Sequence, residues 1–486
     1  MNILSKDLLF AARCAERLYA RKVEQDPWRL RFHLMPPVGW MNDPNGLSWY
    51  QGAYHVFFQY TPTNPEGGLK LWGHYRSKDL LDWEYLGPAI IPDCPRDCHG
   101  AYSGSAFVLE DTMHVFYTGN VKYQGNYDYI HNGRGSFVLH TESRGGVYFG
   151  EKECALDMED YPEGYTCHIR DPKVWKDGNA CYMILGARRE DDRGGVLIYS
   201  SGDLKNWRLL REMTTENAFG YMWECPDLFA LGGNTYLSCS PQGVEKEEYR
   251  FQNVYQSGWF RVEGDWKGEC RLRDFTEWDL GFDFYAPQTF QDASGRRILI
   301  GWMGIPDADY RNPETARGWR HALTVPREIT EKDGRLYQYP VKQLESLRAK
   351  ETRLENEKEV SVPEGVFDLE IHAPDKDFCE IHIGGELKFI YKNGMVELSF
   401  QGDSGAGRTV RRGRITELRE IRVLCDTSAV EIYVNRGEAV FTTRYYPPAQ
   451  NMALALRGCS GENILWNMRA IRLANKTQEG ERDEII

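Results

Sequence analysis

Three carboxylates stand in short runs that also hold proline: Asp43 in Asn42-Asp43-Pro44-Asn45-Gly46, Asp171 in Arg170-Asp171-Pro172, and Glu224 in Glu224-Cys225-Pro226. Taken singly, each run is an ordinary turn with a capped end. Gathered in a partly desolvated opening, three acids would raise one another's pKa, and one would hold a proton near neutral pH. Glycoside hydrolysis uses such a set: a carboxylate to attack the anomeric carbon, an acid to protonate the departing oxygen, and negative charge to stabilise an oxocarbenium-like transition state. The tight turn at Pro44-Asn45-Gly46 would fix Asp43 as nucleophile. Glu224, between Trp223 and Cys225-Pro226, has the more apolar setting, which suits a general acid/base. Arg170 would keep Asp171 ionised, which suits a fixed anion that holds substrate hydroxyls.

A radial repeat would make residues this far apart neighbours, and five segments share one design with a period of roughly 50 to 70 residues. Each opens with a small polar or acidic triplet, continues as a short apolar strand, turns at Gly or Asp, and returns as a strand rich in aromatic and β-branched residues. The triplets are Asn42-Asp43-Pro44, Ser103-Gly104-Ser105, Arg170-Asp171-Pro172, Glu224-Cys225-Pro226 and Ala286-Pro287-Gln288. A turn followed by tryptophan recurs between them, at Ser77 to Trp83, Ser201 to Trp207 and, more weakly, Asp274 to Trp278. An ordinary β-sandwich with similar hairpins is the plainer alternative. A five-bladed β-propeller makes the stronger prediction: equivalent first strands line a central channel, and the triplets converge at one end of it.

The pattern divides the chain into an N-terminal helical extension over residues 1–29, a propeller over 30–338, a linker helix over 339–356, a β-sandwich over 357–475 and a polar tail over 476–486. Leu344, Leu347 and Leu354 among Lys, Glu and Arg predict the linker helix. Short alternating strands with Gly-rich turns, such as Gly394–Phe400 and Ala429–Asn435, predict the sandwich. The expected fold class is all-β, and the tail composition predicts disorder.

A formal charge of −13 gives no basic field to draw the chain to nucleic acid or anionic lipid. No apolar run reaches the roughly 18 residues of a spanning helix, and Met1 to Arg31 lacks a signal-peptide core. The 12 cysteines have no regular short spacing, the pattern of reduced thiols, so a cytoplasmic location is expected. Cys94, Cys98 and His99 invite a metal, but no second pair lies at zinc-like spacing, and a plain loop is the expectation. Aromatic residues make up 13% of the chain, with 14 Trp and 28 Tyr, enough both to fill β cores and to stack on sugars.

Trp40-Met41-Asn42-Asp43-Pro44-Asn45-Gly46, Arg170-Asp171-Pro172 and Glu224-Cys225-Pro226, in this order, resemble the three signatures of glycoside hydrolase family 32. Trp72-Gly73-His74, Tyr102-Ser103-Gly104-Ser105, Tyr117-Thr118-Gly119-Asn120, Phe282 to Gln288 and Gly318 to Thr324 extend the likeness from about Leu30 to Pro447. The resemblance implies a five-bladed propeller followed by a β-sandwich, retention of configuration, and neither cofactor nor metal. It implies Asp43 as nucleophile, Glu224 as acid/base and Asp171 as transition-state stabiliser. Asn42, Gln59, Trp72, Ser103 and Arg170 match positions that hold the fructosyl unit, and Tyr102 stands where Phe is more usual. Gly67-Gly68 replaces the Trp-Gly pair that usually precedes Trp72-Gly73-His74, so an aromatic wall beside the reacting sugar is absent or comes from another loop.

The activity expected is hydrolysis of sucrose, sucrose 6-phosphate or short fructo-oligosaccharides, with fructosyl transfer or fructan hydrolysis as variants on one scaffold. A phosphorylated substrate would need a cation near the pocket, for which Arg76 or Lys70 could serve. A non-catalytic sugar-binding propeller would lack one of the acids, and all three are present. A serine hydrolase built on Ser103 fails for want of a Gly-x-Ser-x-Gly elbow. The expected partner is a small sugar, with a homo-oligomer left open.

Overall fold

The structure, a computed structural model, describes residues 2–448 and 452–475; the tail predicted over 476–486 lies outside the described residues. It is built mostly of strands, in keeping with a sequence rich in aromatic and β-branched residues. Five sheets follow one another along the chain. The first runs Gly39–Tyr50, Ala53–Thr61, Leu71–Ser77 and Asp82–Ile90; the second Ala101–Leu109, Thr112–Lys122, Arg134–Ser143 and Glu153–Leu156. The third runs Tyr165–Asp177, Ala180–Arg189, Gly194–Ser201 and Arg208–Met213; the fourth Met222–Leu231, Asn234–Gln242, Gly258–Gly264 and Cys270–Glu277. The fifth runs Tyr285–Gln291, Arg297–Met303, Arg327–Lys332 and Arg335–Pro340.

The first strands of these sheets touch in cyclic order: first to second, second to third, third to fourth, fourth to fifth, and fifth back to first. Apolar side chains fill the seams, with Phe57, Trp72, Tyr117 and Leu139 in one cluster and Phe116, Val174 and Leu185 in the next. Trp319–Arg320, leaving the fifth sheet, pairs in parallel with Gly39–Trp40 of the first. At the other edge of that sheet, Arg472–Asn475 pairs with Asp82–Tyr85, so the outer strand is not left as an open template. The repeated turns are equivalent in detail: Trp83 Nε1 donates to the Leu80 carbonyl at 3.0 Å and Trp207 Nε1 to the Leu204 carbonyl at 3.1 Å.

Each ladder between first and second strands slips at the same place. Asn42-Asp43 oppose Gln59 alone; Tyr102-Ser103 oppose Thr118; Asp171-Pro172 oppose Leu185; Cys225-Pro226 oppose Cys239; Ala286-Pro287 oppose Gly301. These are β-bulges, which turn side chains off the regular alternation of a strand. Pro44, Pro172, Pro226 and Pro287 fall in or just after them, where a missing N–H breaks no ladder bond. Asp171, Cys225 and Ala286 take φ of 64°, 47° and 47°, a left-handed backbone that bulky residues adopt only under constraint.

Two six-stranded sheets follow, one built on Phe367–His372, Glu420–Asp426 and Ala429–Val434, the other on Phe378–Ile383, Leu387–Lys392 and Met395–Phe400. Leu369, Val423 and Ile432 of one share a core with Ile381, Phe389 and Leu398 of the other, and the same core reaches Phe282, Tyr285 and Trp302 beside the fifth sheet. At the N-terminus, Asn2 caps a helix over Ile3–Glu24, and Glu16 on it accepts from Tyr60 and Tyr85 of the first sheet at 3.0 and 2.6 Å.

No α-helix forms over 339–356. The chain makes a 3-10 turn, Lys342–Leu347, and then a strand, Arg348–Arg353, that pairs with Asn463–Met468. Leu344 and Leu347 are buried by that single turn. Arg348 then reaches Asp368 at 2.8 Å and also Glu370, which ties the segment to the sheet. Helical spacing of two leucines describes one turn, and sheet pairing decides the rest.

Candidate active site

Asp43 sits at the first bulge with one oxygen, Oδ2, accepting from Ser103 Oγ at 2.5 Å and the other from Asn42 Nδ2 at 3.0 Å. Gln59 locks both donors: its Nε2 donates to Ser103 Oγ at 2.6 Å and its Oε1 faces Asn42 Nδ2 at 3.3 Å. Trp40 Nε1 donates to Asn42 Oδ1 at 2.6 Å, which fixes that amide in turn. Burial raises the Asp43 carboxyl, Ser103 and Asn42 oppose the rise, and the charge of Glu224 adds to it. Among the described residues no cation lies within ion-pair distance of Asp43, and its carboxylate is oriented by the neutral donors Ser103 and Asn42.

Glu224 is held from three sides. Arg170 donates to Oε1 through Nε at 3.1 Å and Nη2 at 2.6 Å; Gln242 Nε2 and Tyr285 Oη donate to Oε2 at 2.7 and 2.6 Å. Arg170 is itself set by His168, whose Nδ1 lies 2.7 Å from Nη1 and whose Nε2 faces the Tyr129 carbonyl. Asp171 is 5% exposed and accepts the Cys225 N–H at 3.0 Å. Burial pushes its carboxyl up to about 7; Arg170 opposes this, while Glu224 and Asp43 reinforce it. Cys225 Sγ lies 3.7 Å from Asp43 Oδ2 and 3.6 Å from Asp171 Oδ2, so two acids 128 positions apart in the sequence flank one sulfur.

Ladder register shows how three acids come close together without coinciding. Met41, Ala101, Arg170, Glu224 and Tyr285 occupy the last paired position before the bulge, and Asn42, Tyr102, Asp171, Cys225 and Ala286 the first bulged position. Asp43, Ser103, Pro172, Pro226 and Pro287 fill the next. Glu224, Asp171 and Asp43 therefore stand at three successive levels. In ladder register Arg170-Asp171-Pro172 and Glu224-Cys225-Pro226 align with each other, as Asn42-Asp43-Pro44 does with Ala286-Pro287-Gln288, but the two pairs are one residue apart and Ser103-Gly104-Ser105 starts one residue later still. Downstream residues of the same strands, including Leu47, Lys173, Asp227, Phe229 and Thr289, line a separate cavity of about 540 Å³ that holds none of the three acids.

The sequence matches the Glycosyl hydrolases family 32 N-terminal domain over residues 33–340 and the family's C-terminal domain over 395–469. The chain belongs to glycosyl hydrolase family 32. Among its relatives, a sucrose-6-phosphate hydrolase of Bacillus subtilis is 40% identical over 463 residues, which cover 91% of this chain and 95% of the relative. A raffinose invertase of Escherichia coli is 36% identical, covering 95% and 98%. The structure of sucrose-6-phosphate hydrolase from Lactobacillus gasseri superposes with a TM-score of 0.86 at 28% identity, covering 94% and 97%. A Bombyx mori β-fructofuranosidase, solved as a mutant in complex with sucrose, gives 0.83 at 30% identity, covering 95% and 99%.

As a family 32 member the chain is a glycoside hydrolase, and its own geometry corrects two expectations. Arg170 does not keep Asp171 ionised: its guanidinium pairs with Glu224 across the bulge, and although its charge lowers the Asp171 carboxyl, burial still carries that group up to about 7. Trp72 does not face the opening. Its ring is fully buried against Phe57 and Tyr117, and its Nε1 donates to the Tyr102 carbonyl at 3.0 Å, so it supports the wall from behind. Asn42, Gln59 and Ser103 gather on Asp43, Arg170 on Glu224, and Tyr102 is partly exposed beside them. Cys94, Cys98 and His99 do not gather at metal-ligand distances among the described residues; one such set, His114, His140 and Glu142, lies on the two middle strands of the second sheet. Tyr285, Gln242 and Cys225 were given no role by sequence reasoning. Tyr285 had a signal, since it precedes Ala286-Pro287 as Glu224 precedes Cys225-Pro226; Gln242 had none.

Proposed function

We propose that this family 32 enzyme is a retaining β-fructofuranosidase that hydrolyses sucrose and sucrose 6-phosphate, working in the cytoplasm. The five ring-ordered sheets are the blades of a β-propeller with the acids at one end of its channel, and the two six-stranded sheets are a β-sandwich. Asp43 attacks the anomeric C2 of the fructosyl unit while Glu224 protonates the departing oxygen, giving a fructosyl ester on Asp43. Glu224 then takes a proton from water, which opens the ester with net retention. Asp171 is the fixed anion near the oxocarbenium-like centre, and Asn42, Gln59, Tyr102, Ser103 and Arg170 hold the sugar.

The observation that carries this reading is the contrast between two carboxyl groups of one opening. Asp43 is oriented only by neutral donors, as an attacking oxygen needs, whereas Glu224 sits in a network with Arg170, Gln242 and Tyr285 that orients it for proton transfer. The activities named for the relatives above support the substrate. Hydrolysis of sucrose in the presence of methanol tests it: methyl β-fructofuranoside is the expected by-product by NMR, and the α-anomer would reject retention. Asp43→Asn and Glu224→Gln are each expected to lower turnover by roughly 10³-fold or more with the circular dichroism spectrum unchanged.

A further inference from the structure

Where Gly67-Gly68 stands in place of a Trp-Gly pair, the Lys70 ammonium lies beside the vacated position. A Cβ built on Gly67 would lie 3.6 Å from Lys70 Nζ and 3.7 Å from the Trp40 ring. Lys70 Nζ itself sits 4.4 Å from the centre of that ring, and Arg320, set opposite Trp40 by the parallel pairing of Trp319–Arg320 with Gly39–Trp40, lies 4.6 Å from it. Trp40 is one hydrogen bond from Asn42, and Asn42 one from Asp43. The backbone of Lys70 accepts from Ala101, beside Tyr102, and its ammonium lies close enough to Asp43 to feel that charge.

Neither cation has a carboxylate partner among the described residues, and Arg320 Nε is buried without a hydrogen bond. This contrasts with the sealed guanidiniums of the interior, where Arg327 sits on Glu431 and Asp279, Arg408 on Asp283, and Arg422 on Asp368. Asp43 attracts Lys70, and Glu314 and Glu66 attract Arg320, only from beyond ion-pair distance; a desolvated cation with no carboxylate in direct contact is costly, and a floor of three carboxylates repels any anion that enters unaided. Arg76, the other basic residue considered for such a role, is taken by Glu84 at 2.6 Å on the outer half of the first sheet.

We infer that Lys70, backed by Arg320, is the anchor for a phosphate carried by the leaving sugar, so that the enzyme selects sucrose 6-phosphate over sucrose. The inference rests on the β-fructofuranosidase reading. In sucrose 6-phosphate the phosphate is on the glucosyl half, the half that departs outward from Asp43 toward the rim. A bare ammonium gives a charge-assisted hydrogen bond to a phosphate oxygen and nothing equivalent to a neutral hydroxymethyl group. Burial pulls the Lys70 ammonium down to about 7, against the attraction of Asp43, and an arriving dianion would favour its charged form.

The test compares kcat/KM on sucrose 6-phosphate and on sucrose for the wild type, Lys70→Met and the control Arg76→Met. The Lys70→Met ratio of the two is expected to fall roughly 10- to 100-fold, mainly through KM for the phosphorylated substrate, with the Arg76→Met ratio unmoved. Inhibition by glucose 6-phosphate should weaken in Lys70→Met while inhibition by fructose persists. A ratio within about 3-fold of the wild type, or an equal loss on both substrates, would overturn the inference and leave the β-fructofuranosidase reading standing. A wild type that cleaves neither substrate would instead overturn that reading.

Discussion

At the scale of single residues, the site depends on hydrogen bonds that act on carboxylates at second hand. Tyr285 donates to Glu224 Oε2 and has its own hydroxyl pKa driven up by burial and by that carboxylate. Tyr285→Phe removes one charge-assisted bond while keeping the ring, so kcat on sucrose is expected to drop roughly 10- to 100-fold with KM little changed. Steady-state kinetics checks this, and an unchanged kcat would show that Arg170 and Gln242 position Glu224 unaided. Asp171, pushed up to about 7 by burial, should release a proton as pH rises through neutrality. Potentiometric titration of the wild type against Asp171→Asn between about pH 6 and 8 should show one proton fewer released by the variant. The three acids that the structure brings together all stand in the proline-bearing runs of the sequence. Their partners were not: Arg170 adjoins Asp171 in sequence yet binds Glu224, because side-chain direction on a bulged strand cannot be counted from spacing alone.

At the scale of elements, the bulge is the unit that makes the site. Five ladders slip at one level, and the slip sets Asp43, Asp171 and Glu224 at successive heights. Gly104 shows how tightly the device is packed: a Cβ there would lie 2.1 Å from the Phe116 carbonyl oxygen and 2.5 Å from the Tyr117 Cα, both backbone atoms that cannot swing aside. Gly104→Ala is therefore expected to cost about 1–3 kcal/mol in urea unfolding and to lower activity further by moving Ser103 off Asp43. A variant of wild-type stability and activity would contradict the packing. The strands and their five-fold recurrence were readable from turn residues and aromatic content. The bulges were not, although Pro44, Pro172, Pro226 and Pro287 marked where a ladder could do without a donor. The segment 339–356 failed for a different reason: Leu344 and Leu347 satisfy a helical spacing, but pairing of Arg348–Arg353 with Asn463–Met468 outweighs it.

At the scale of the whole molecule, buried charge joins the N-terminal segment to the C-terminal sheets. His33 lies 2.9 Å from both Asp426 and Glu431, and Glu431 also holds Arg327. Burial would pull the His33 imidazole down, but its bonds to the two carboxylates hold it above its ordinary 6.5; Glu431 is drawn down to about 2 against burial, chiefly by Arg327 and then His33. The raised histidine stabilises the fold fully below pH 6.5 and less as pH climbs through its folded value. The lowered glutamate stabilises it fully above pH 4.5 and less as pH falls toward 2. His33→Ala is thus expected to cost about 3–5 kcal/mol near pH 5.5 and less near pH 9, read by thermal unfolding at both. Nothing in the sequence around His33 announced this clasp, whose partners lie some 400 positions away. The contacts in cyclic order between the first strands also bring Asp43, Asp171 and Glu224 together from distant parts of the sequence. The most direct test is rapid acid quenching during turnover of sucrose, followed by peptide mapping in a mass spectrometer. A hexosyl ester on the peptide that carries Asp43, absent in Asp43→Asn, is the predicted result; an adduct on Asp171 or Glu224 would contradict the account.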